Sequence, residues 1–326
     1  MTDGCVVITG IGQVGPVGVG RAALTGAIDH GITLAPVGKL RLEDYLHSAK
    51  TYLDPNSEHA LCATSLALAD ARLAVADENA ASVGMSFGTR LANVVTVESY
   101  LKMVREQGVK LASPLLFIHS YPNTSVSLLS IEFGIKGTSF NFDCGRWCGL
   151  QALIQAFDEL RTQKMSVMLA GASDTYTEVT RPCSKGTPFA GAVTLVLERA
   201  EDAIRRGVRA AVELAGAGLA ATGEEALSRA LAEASAGRPQ IDWLLADPSA
   251  DAAGLAAARI HATDLVKTVG DCGAATAMLG LALATVTLDE AKLPARLGLK
   301  AAPQAAAVVS ADESGAAAVV LRRISD

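Results

Sequence analysis

Apolar positions in this chain follow two alternating rhythms. Short runs of small and β-branched residues read as strands, and longer stretches with apolar residues three or four apart read as helices. Cys5-Val-Val-Ile-Thr9 opens as a strand, a glycine-rich turn comes next, and the polar stretch to about residue 55 reads as loop. A helix is predicted over 61–76, with Asn56-Ser57-Glu58 offering its N-terminal cap. Val83-Gly-Met-Ser-Phe87 is a short strand stopped by Gly88. Helical spacing then runs over 92–106, and Pro122-Asn123 turns into a helix reaching Ile131. From Gly137 to Asp174 the pattern is strand, tight turn, amphipathic helix and strand, with the turn at Cys144-Gly-Arg-Trp-Cys-Gly149.

A second set starts near Ala190. Residues 190–198 are β-rich, 199–206 form a charged helix, and 209–214 a strand. Helix is predicted over 224–236, strand over 241–246 and helix over 252–260. The run 273–284 is so rich in small residues that it must be a helix buried on most sides. Residues 306–310 and 316–321 close the chain as a hairpin. Strands alternating with helices in two successive sets imply an α/β fold with layered sheets. Half of the 326 residues are apolar and only 4% aromatic, so Ala, Val, Leu and Ile must fill the core.

Charge and motif content narrow the chemistry. A net charge of −6 argues against nucleic acid as the main partner. No run reaches the ~18 uninterrupted apolar residues of a membrane span, and neither end reads as a signal peptide, so a cytoplasmic location is expected. Cys5, Cys62, Cys144, Cys148, Cys183 and Cys272 are scattered and read as small buried hydrophobes rather than disulfides or zinc ligands. No metal and no cofactor is expected. Gly10-Ile-Gly-Gln-Val-Gly15 matches the dinucleotide fingerprint after a strand. However, Pro16 comes immediately after it, and no acidic residue ends a second strand about 20 residues on. The glycines are expected to serve close packing instead.

The turn at 144–149 resembles the nucleophile turn of the β-ketoacyl synthases, in the thiolase-like superfamily. There a Cys-x-x-Gly pattern follows a strand and the cysteine caps a buried helix. Further blocks resemble the family in the same order: Val6-Val-Ile-Thr-Gly-Ile-Gly12, Val83-Gly-Met-Ser-Phe-Gly-Thr89, Gly191-Ala-Val-Thr-Leu-Val-Leu-Glu198, Ile241-Asp-Trp-Leu-Leu-Ala-Asp247 and Lys267-Thr-Val-Gly-Asp-Cys-Gly-Ala-Ala275. The resemblance implies two similar βαβαβ halves in an α-β-α-β-α stack, divided as 1–188 and 189–326. It also implies trimmed loops before Phe189 and between Gly218 and Glu224.

The same resemblance implies that the condensing residues are replaced. Family chemistry uses a cysteine to carry the acyl chain and two histidines for decarboxylation and oxyanion stabilisation. Counting back from Gly149 puts Arg146 at the cysteine, and Asp247 stands at the first histidine. The second histidine falls on Asp271, or on Gly270 if counted from Gly273, and the family lysine is retained as Lys267. The gate expected at 311–315 reads Ala-Asp-Glu-Ser-Gly. An arginine cannot shed its charge when buried, so Arg146 is expected to be held by one or both of Asp247 and Asp271, with Lys267 offsetting the second negative charge. Cys144 on the strand and Cys148 in the helix are expected to be buried and inert.

By resemblance, then, the chain is expected to be a non-catalytic subunit similar to the chain-length factors, or ketosynthase-β proteins, in which the cysteine is commonly glutamine. Such a subunit pairs with an active ketosynthase and shapes acyl chain length in a polyketide, polyene or fatty-acid-type pathway, alongside an acyl carrier protein. Two alternatives stay open. One is an enzyme repurposed around Arg146, Asp247 and Asp271; the other is a homodimeric scaffold that binds the carrier protein.

Overall fold

The computed structural model describes residues 4–234, 241–248, 250 and 260–324. Its strands form one continuous sheet whose order is symmetric about its middle. Strands β1 (Val6–Gly15), β3 (Val83–Thr89), β4 (Ser139–Asp143), β5 (Val167–Asp174) and β6 (Gly191–Arg199) run in the order β4-β3-β5-β6-β1. Strands β7 (Val212–Ala220), β8 (Trp243–Ala246), β9 (His261–Asp264), β10 (Ala305–Asp312) and β11 (Gly315–Arg323) continue as β7-β11-β10-β8-β9. A two-residue strand, β2 (Gly18–Val19), hangs on β1. The halves meet through a short antiparallel contact, Val6 opposite Leu214 and Val7 opposite Glu213. β6 lies between β5 and β1, within the first set. By strand pairing the sheet therefore divides in the segment 200–211, not at 188/189.

Helices complete the stack. Helix α2 (Pro55–Asp70) packs on β1, β6 and β5, whereas α8 (Gly223–Ala234) packs on β7, β11 and β10. Between the half-sheets lie α6 (Cys148–Arg161) and α10 (Ala275–Asp289), each touching strands of both sets. That position explains α10: every residue from Ala275 to Leu288 is buried, so it has no polar face, as the sequence pattern predicted. The architecture is the layered α/β, thiolase-like arrangement.

The nominal dinucleotide glycines serve packing. A Cβ on Gly10 would lie 2.4 Å from the Ala67 carbonyl oxygen, and one on Gly12 would lie 1.9 Å from that of Ala63. Their bareness lets β1 sink against α2.

Several boundaries differ from the sequence pattern. The stretch read as loop to residue 55 contains α1 (Gly20–His30), which buries Gly20, Leu24, Ala27 and Ile28 on one face. Helix α2 begins six residues earlier than predicted because Asp54, fully buried, caps it, accepting from Asn56 N at 2.9 Å. The strand predicted over 209–214 continues to Ala220, because its partner β11 is equally long. The helix predicted over 252–260 falls largely on 251–259, outside the described residues. Three elements had no sequence signal: α4 (Pro114–His119), β9 and α9 (Leu265–Val269) are each too short to show a period. The other helices are α3 (Val94–Gln107), α5 (Thr124–Phe133) and α7 (Ala200–Arg205). No helix among the described residues is long and apolar enough to cross a membrane.

Candidate functional site

The N-termini of α6 and α10 meet at the centre of the stack. A Cβ on Gly149 would lie 2.4 Å from the Ala274 carbonyl oxygen, so glycine is what permits this approach. Arg146 occupies the turn between β4 and α6, Asp247 comes directly after β8, and Asp271 lies between α9 and α10. These three residues are distant in sequence and adjacent in space.

Arg146 is 1% exposed, among the largest fully buried side chains of the protein. Its Nη1 donates to Asp271 Oδ1 at 2.7 Å and its Nη2 to Asp247 Oδ1 at 3.3 Å, and all three side chains are wholly buried. The expected arginine–aspartate pairing is present with both carboxylates at once. Arg146 Nε has no hydrogen-bond partner among the described residues.

Neighbouring groups complete the aspartate shells. Asp271 accepts from the Tyr176 hydroxyl at 3.0 Å, from Gly273 N at 3.1 Å and from Lys185 N. Asp247 accepts from the Ser310 hydroxyl. Burial disfavours the Asp271 carboxylate, yet Arg146 and the backbone donors outweigh it and hold the carboxyl below its usual range. For Asp247 burial wins over Arg146 and Ser310, and the carboxyl is pushed up. Burial also works against the guanidinium, but the two aspartates raise its affinity for the proton further.

Lys267 does not take part. Its side chain is 84% exposed on α9 and pairs at the surface with Asp264 at 3.3 Å. The expected neutral quartet is thus a triad of one cation and two carboxylates. Hydroxyl and backbone N–H donors, rather than a second cation, meet the excess negative charge. Lys267 lies on the outward face of α9, away from the triad.

Three further residues of this region carried no sequence assignment. Asp312, in the degenerate gate segment, accepts from the backbone N–H of Arg146 at 2.7 Å through Oδ2. It thereby places a carboxylate on the N-terminal turn of α6, which the helix dipole favours. Trp147 Nε1 donates to Ser314 Oγ at 2.9 Å, so the β10–β11 hairpin tip is bolted to the turn. Asp174, at the end of β5, is fully buried. It accepts from Thr89 Oγ1 at 2.8 Å and from the backbone of Arg90, Leu91 and Ala274, while burial pushes its carboxyl up to about 6.

Replacing Asp312 with alanine is expected to cost about 1.5–3 kcal/mol, the usual worth of hydrogen bonds to a charged acceptor. Burial acts against this carboxylate, but Ser314 and the Arg146 N–H hold its pKa below the ordinary value. Its contribution is therefore complete above the unfolded carboxylate pKa of ~4 and is lost as pH falls through the lower folded value. Urea unfolding of both proteins at pH 7 and pH 3 checks this; the gap should narrow at the lower pH.

The cysteines correct two expectations. Cys62, Cys148 and Cys272 are buried free thiols, but Cys144 and Cys183 are exposed. Strand β4 ends at Asp143, so Cys144 lies in the bend beyond it. There it lines a cavity of about 510 Å³ together with Arg90, Arg146, Lys185, Asp312 and Ser314. Among the described residues no group of three or more His, Cys, Asp or Glu could hold a metal ion.

Residues 41–184 match the domain family described as Beta-ketoacyl synthase, N-terminal domain. That match covers less than half of the chain, which is similar to the β-ketoacyl synthases over those residues. It is 28% identical over 262 residues to the protein named polyketide beta-ketoacyl synthase 1 of Streptomyces halstedii. That alignment covers 65% of this chain and 62% of the relative, so the matched region spans less than two thirds of that protein's length. Over 98% of its length the chain is similar in structure to the ishigamide ketosynthase/chain length factor, with TM-score 0.85, 16% identity and 99% of that chain covered. A second similar structure is a type II ketosynthase bound to a hexaketide and in complex with its acyl-carrier protein. It has TM-score 0.77 and 18% identity, with 98% of this chain and 99% of that one covered. The ketosynthase-like fold and the polyketide character of its relatives agree with the resemblance seen in the sequence.

Proposed function

We propose that this ketosynthase-like chain performs no condensation by itself. It pairs with a catalytically complete ketosynthase and shapes the length of the acyl chain in a polyketide, polyene or fatty-acid-type pathway, where an acyl carrier protein delivers the substrate. In this reading Arg146, Asp247 and Asp271 stand at the positions of the family's nucleophile and two histidines.

The observation that carries it is the ion-paired burial of Arg146. A guanidinium is not a nucleophile, and with both terminal nitrogens bonded to carboxylates it fills the space an acyl thioester would need. The backbone N–H at the same turn is occupied by Asp312, so it is not free to stabilise an oxyanion.

Pairing is supported by the edge of the sheet. β4 is the outermost strand of its half, with its outer edge unpaired among the described residues. Exposed Leu101, Val109, Leu111 and Ile118 on the nearby-in-sequence α3–α4 segment add apolar surface. An open strand edge is an invitation to pair with another chain.

Co-expression with candidate ketosynthases, with sizing and product analysis of the complexes, tests the reading. The expected result is a mixed complex whose products differ in length from those of the ketosynthase alone. A stable homodimer that never alters a ketosynthase's output would overturn it in favour of a scaffold. Turnover by the purified chain alone would point to a repurposed enzyme, although neither Asp247 nor Asp271 lines the open cavity.

A further inference from the structure

We infer that the α3–α4 hairpin is the docking face for the partner ketosynthase, and that the partner's matching surface is apolar at its centre with a rim of carboxylates. The inference rests on the pairing proposal and adds to it where the two chains meet and what the partner must present.

Helix α3 buries only Thr96, and α4 buries nothing. From Val97 to Asn123 not one residue is buried, although the segment is rich in large apolar side chains. Seven of the eleven large apolar residues exposed among the described residues fall between Leu101 and Tyr121, with Val109 71% and Leu111 67% exposed. The two helices pack chiefly on each other. Met103 Sδ accepts from Ser113 N at 3.2 Å, and the Phe117 ring lies 5.7 Å from that of Tyr100 and 5.2 Å from that of Tyr121. The base of the hairpin is fixed to the body of the protein. Thr96 N and Oγ1 both donate to buried Asp54 at 2.8 Å, and Thr177 Oγ1 donates to Glu98.

A helix as short as α3 is marginal in water by itself and depends on burying an apolar face. Within this chain α3 buries almost none of its own. An exposed apolar patch with clustered aromatic rings has the make-up of an interface centre. The hairpin is pinned at its base and bare along its length, which suits a surface that another protein covers.

Charge selects the occupant. Lys102, Arg105 and Lys110 are exposed on the hairpin, with no ion pair among the described residues. Glu106 is the one exposed carboxylate there, since Glu98 is partly buried and accepts from Thr177. A second copy of this chain, docked through the same face about a two-fold axis, would set the cations against one another. The chain's net charge of −6 opposes an anionic lipid surface. A different chain with an apolar centre and an acidic rim satisfies both the bare surface and the cations.

The test uses the full chain co-expressed with an intact ketosynthase, and hydrogen exchange is read in the complex and in the chain alone. Amides over residues 97–121 are expected to exchange about tenfold more slowly in the complex. The combined variant Lys102→Glu, Arg105→Glu, Lys110→Glu should weaken the complex about tenfold at low salt, and Leu111→Ser should weaken it at every salt concentration. Added salt should weaken the unsubstituted complex but not that of the triple variant. All four side chains are exposed, so both variants should melt like the unsubstituted protein. A complex whose exchange slows at β4 but not over 97–121 would overturn this inference and leave the pairing proposal standing. Protection of 97–121 in the chain alone, rising with its concentration, would overturn it in favour of a second copy. Protection by phosphatidylserine vesicles instead of the ketosynthase would overturn it in favour of a lipid surface. Absence of any complex would defeat the pairing proposal itself, and this inference with it.

Discussion

Replacing Arg146 with alanine is expected to remove about 3–5 kcal/mol of stability at neutral pH, the cost of leaving buried charges without their counter-ion. The expected loss is larger than for removal of any exposed ion pair, which is worth only about 0–1 kcal/mol. Its pH dependence identifies the cause. In the unsubstituted protein Arg146 is the main group opposing burial at Asp271, whose carboxyl lies below its usual range. That stability is present above the unfolded carboxylate pKa and is lost as pH falls through the folded one. Without the guanidinium both aspartates favour their protonated forms. The variant should therefore lag most at pH 7 and recover ground towards pH 4. Adding Asp247→Asn and Asp271→Asn to Arg146→Ala removes the uncompensated charges and should return part of the loss. Urea unfolding across that range is the measurement. A deficit below about 1 kcal/mol, independent of pH, would mean that the triad is not an ion-paired unit.

Gly12→Ala is the second large effect. The added methyl would sit 1.9 Å from the Ala63 carbonyl oxygen, and α2 backbone, unlike a flexible side chain, cannot swing aside. The cost should reach or exceed the upper end of the roughly 1–3 kcal/mol typical of overpacking. Gly26→Ala, inside α1, makes a matched control: nothing among the described residues lies within 4 Å of its Cβ position, and alanine in a helix gains up to about 1 kcal/mol. Thermal melts of the two variants should move in opposite directions. If Gly12 held a nucleotide pyrophosphate instead, Gly12→Ala would melt like the unsubstituted protein.

Long elements were legible because their burial is regular. The α10 run could be recognised as an all-round buried helix from its small residues alone, and the β10–β11 hairpin from its unbroken apolar runs. Short elements were not: five residues in α9 are less than two turns, and four in β9 are no more than two alternations. Helix α1 was hidden by its own glycines and polar neighbours, since only four of its residues are buried. At the site, Arg146, Asp247 and Asp271 could be singled out from family spacing. Lys267 belonged to the same pattern, but it lies on the surface of α9 and pairs with Asp264, which spacing alone could not tell. Asp312, Tyr176 and Ser310 had no signal, because each matters only through the atom it faces.

By itself, the order of apolar runs and turn residues determined that this chain folds as layered α/β halves, and that a cationic residue stands in the turn before α6. A charge that cannot be neutralised also demanded a carboxylate partner from somewhere. That both expected carboxylates rather than one answer, that the lysine stays outside, and that Cys144 faces solvent while Cys148 is buried were decided only by the tertiary structure. Periodicity along a chain reports which face of an element is buried. Pairing between residues 101 and 125 positions apart depends on how two helix ends and a strand end meet in space.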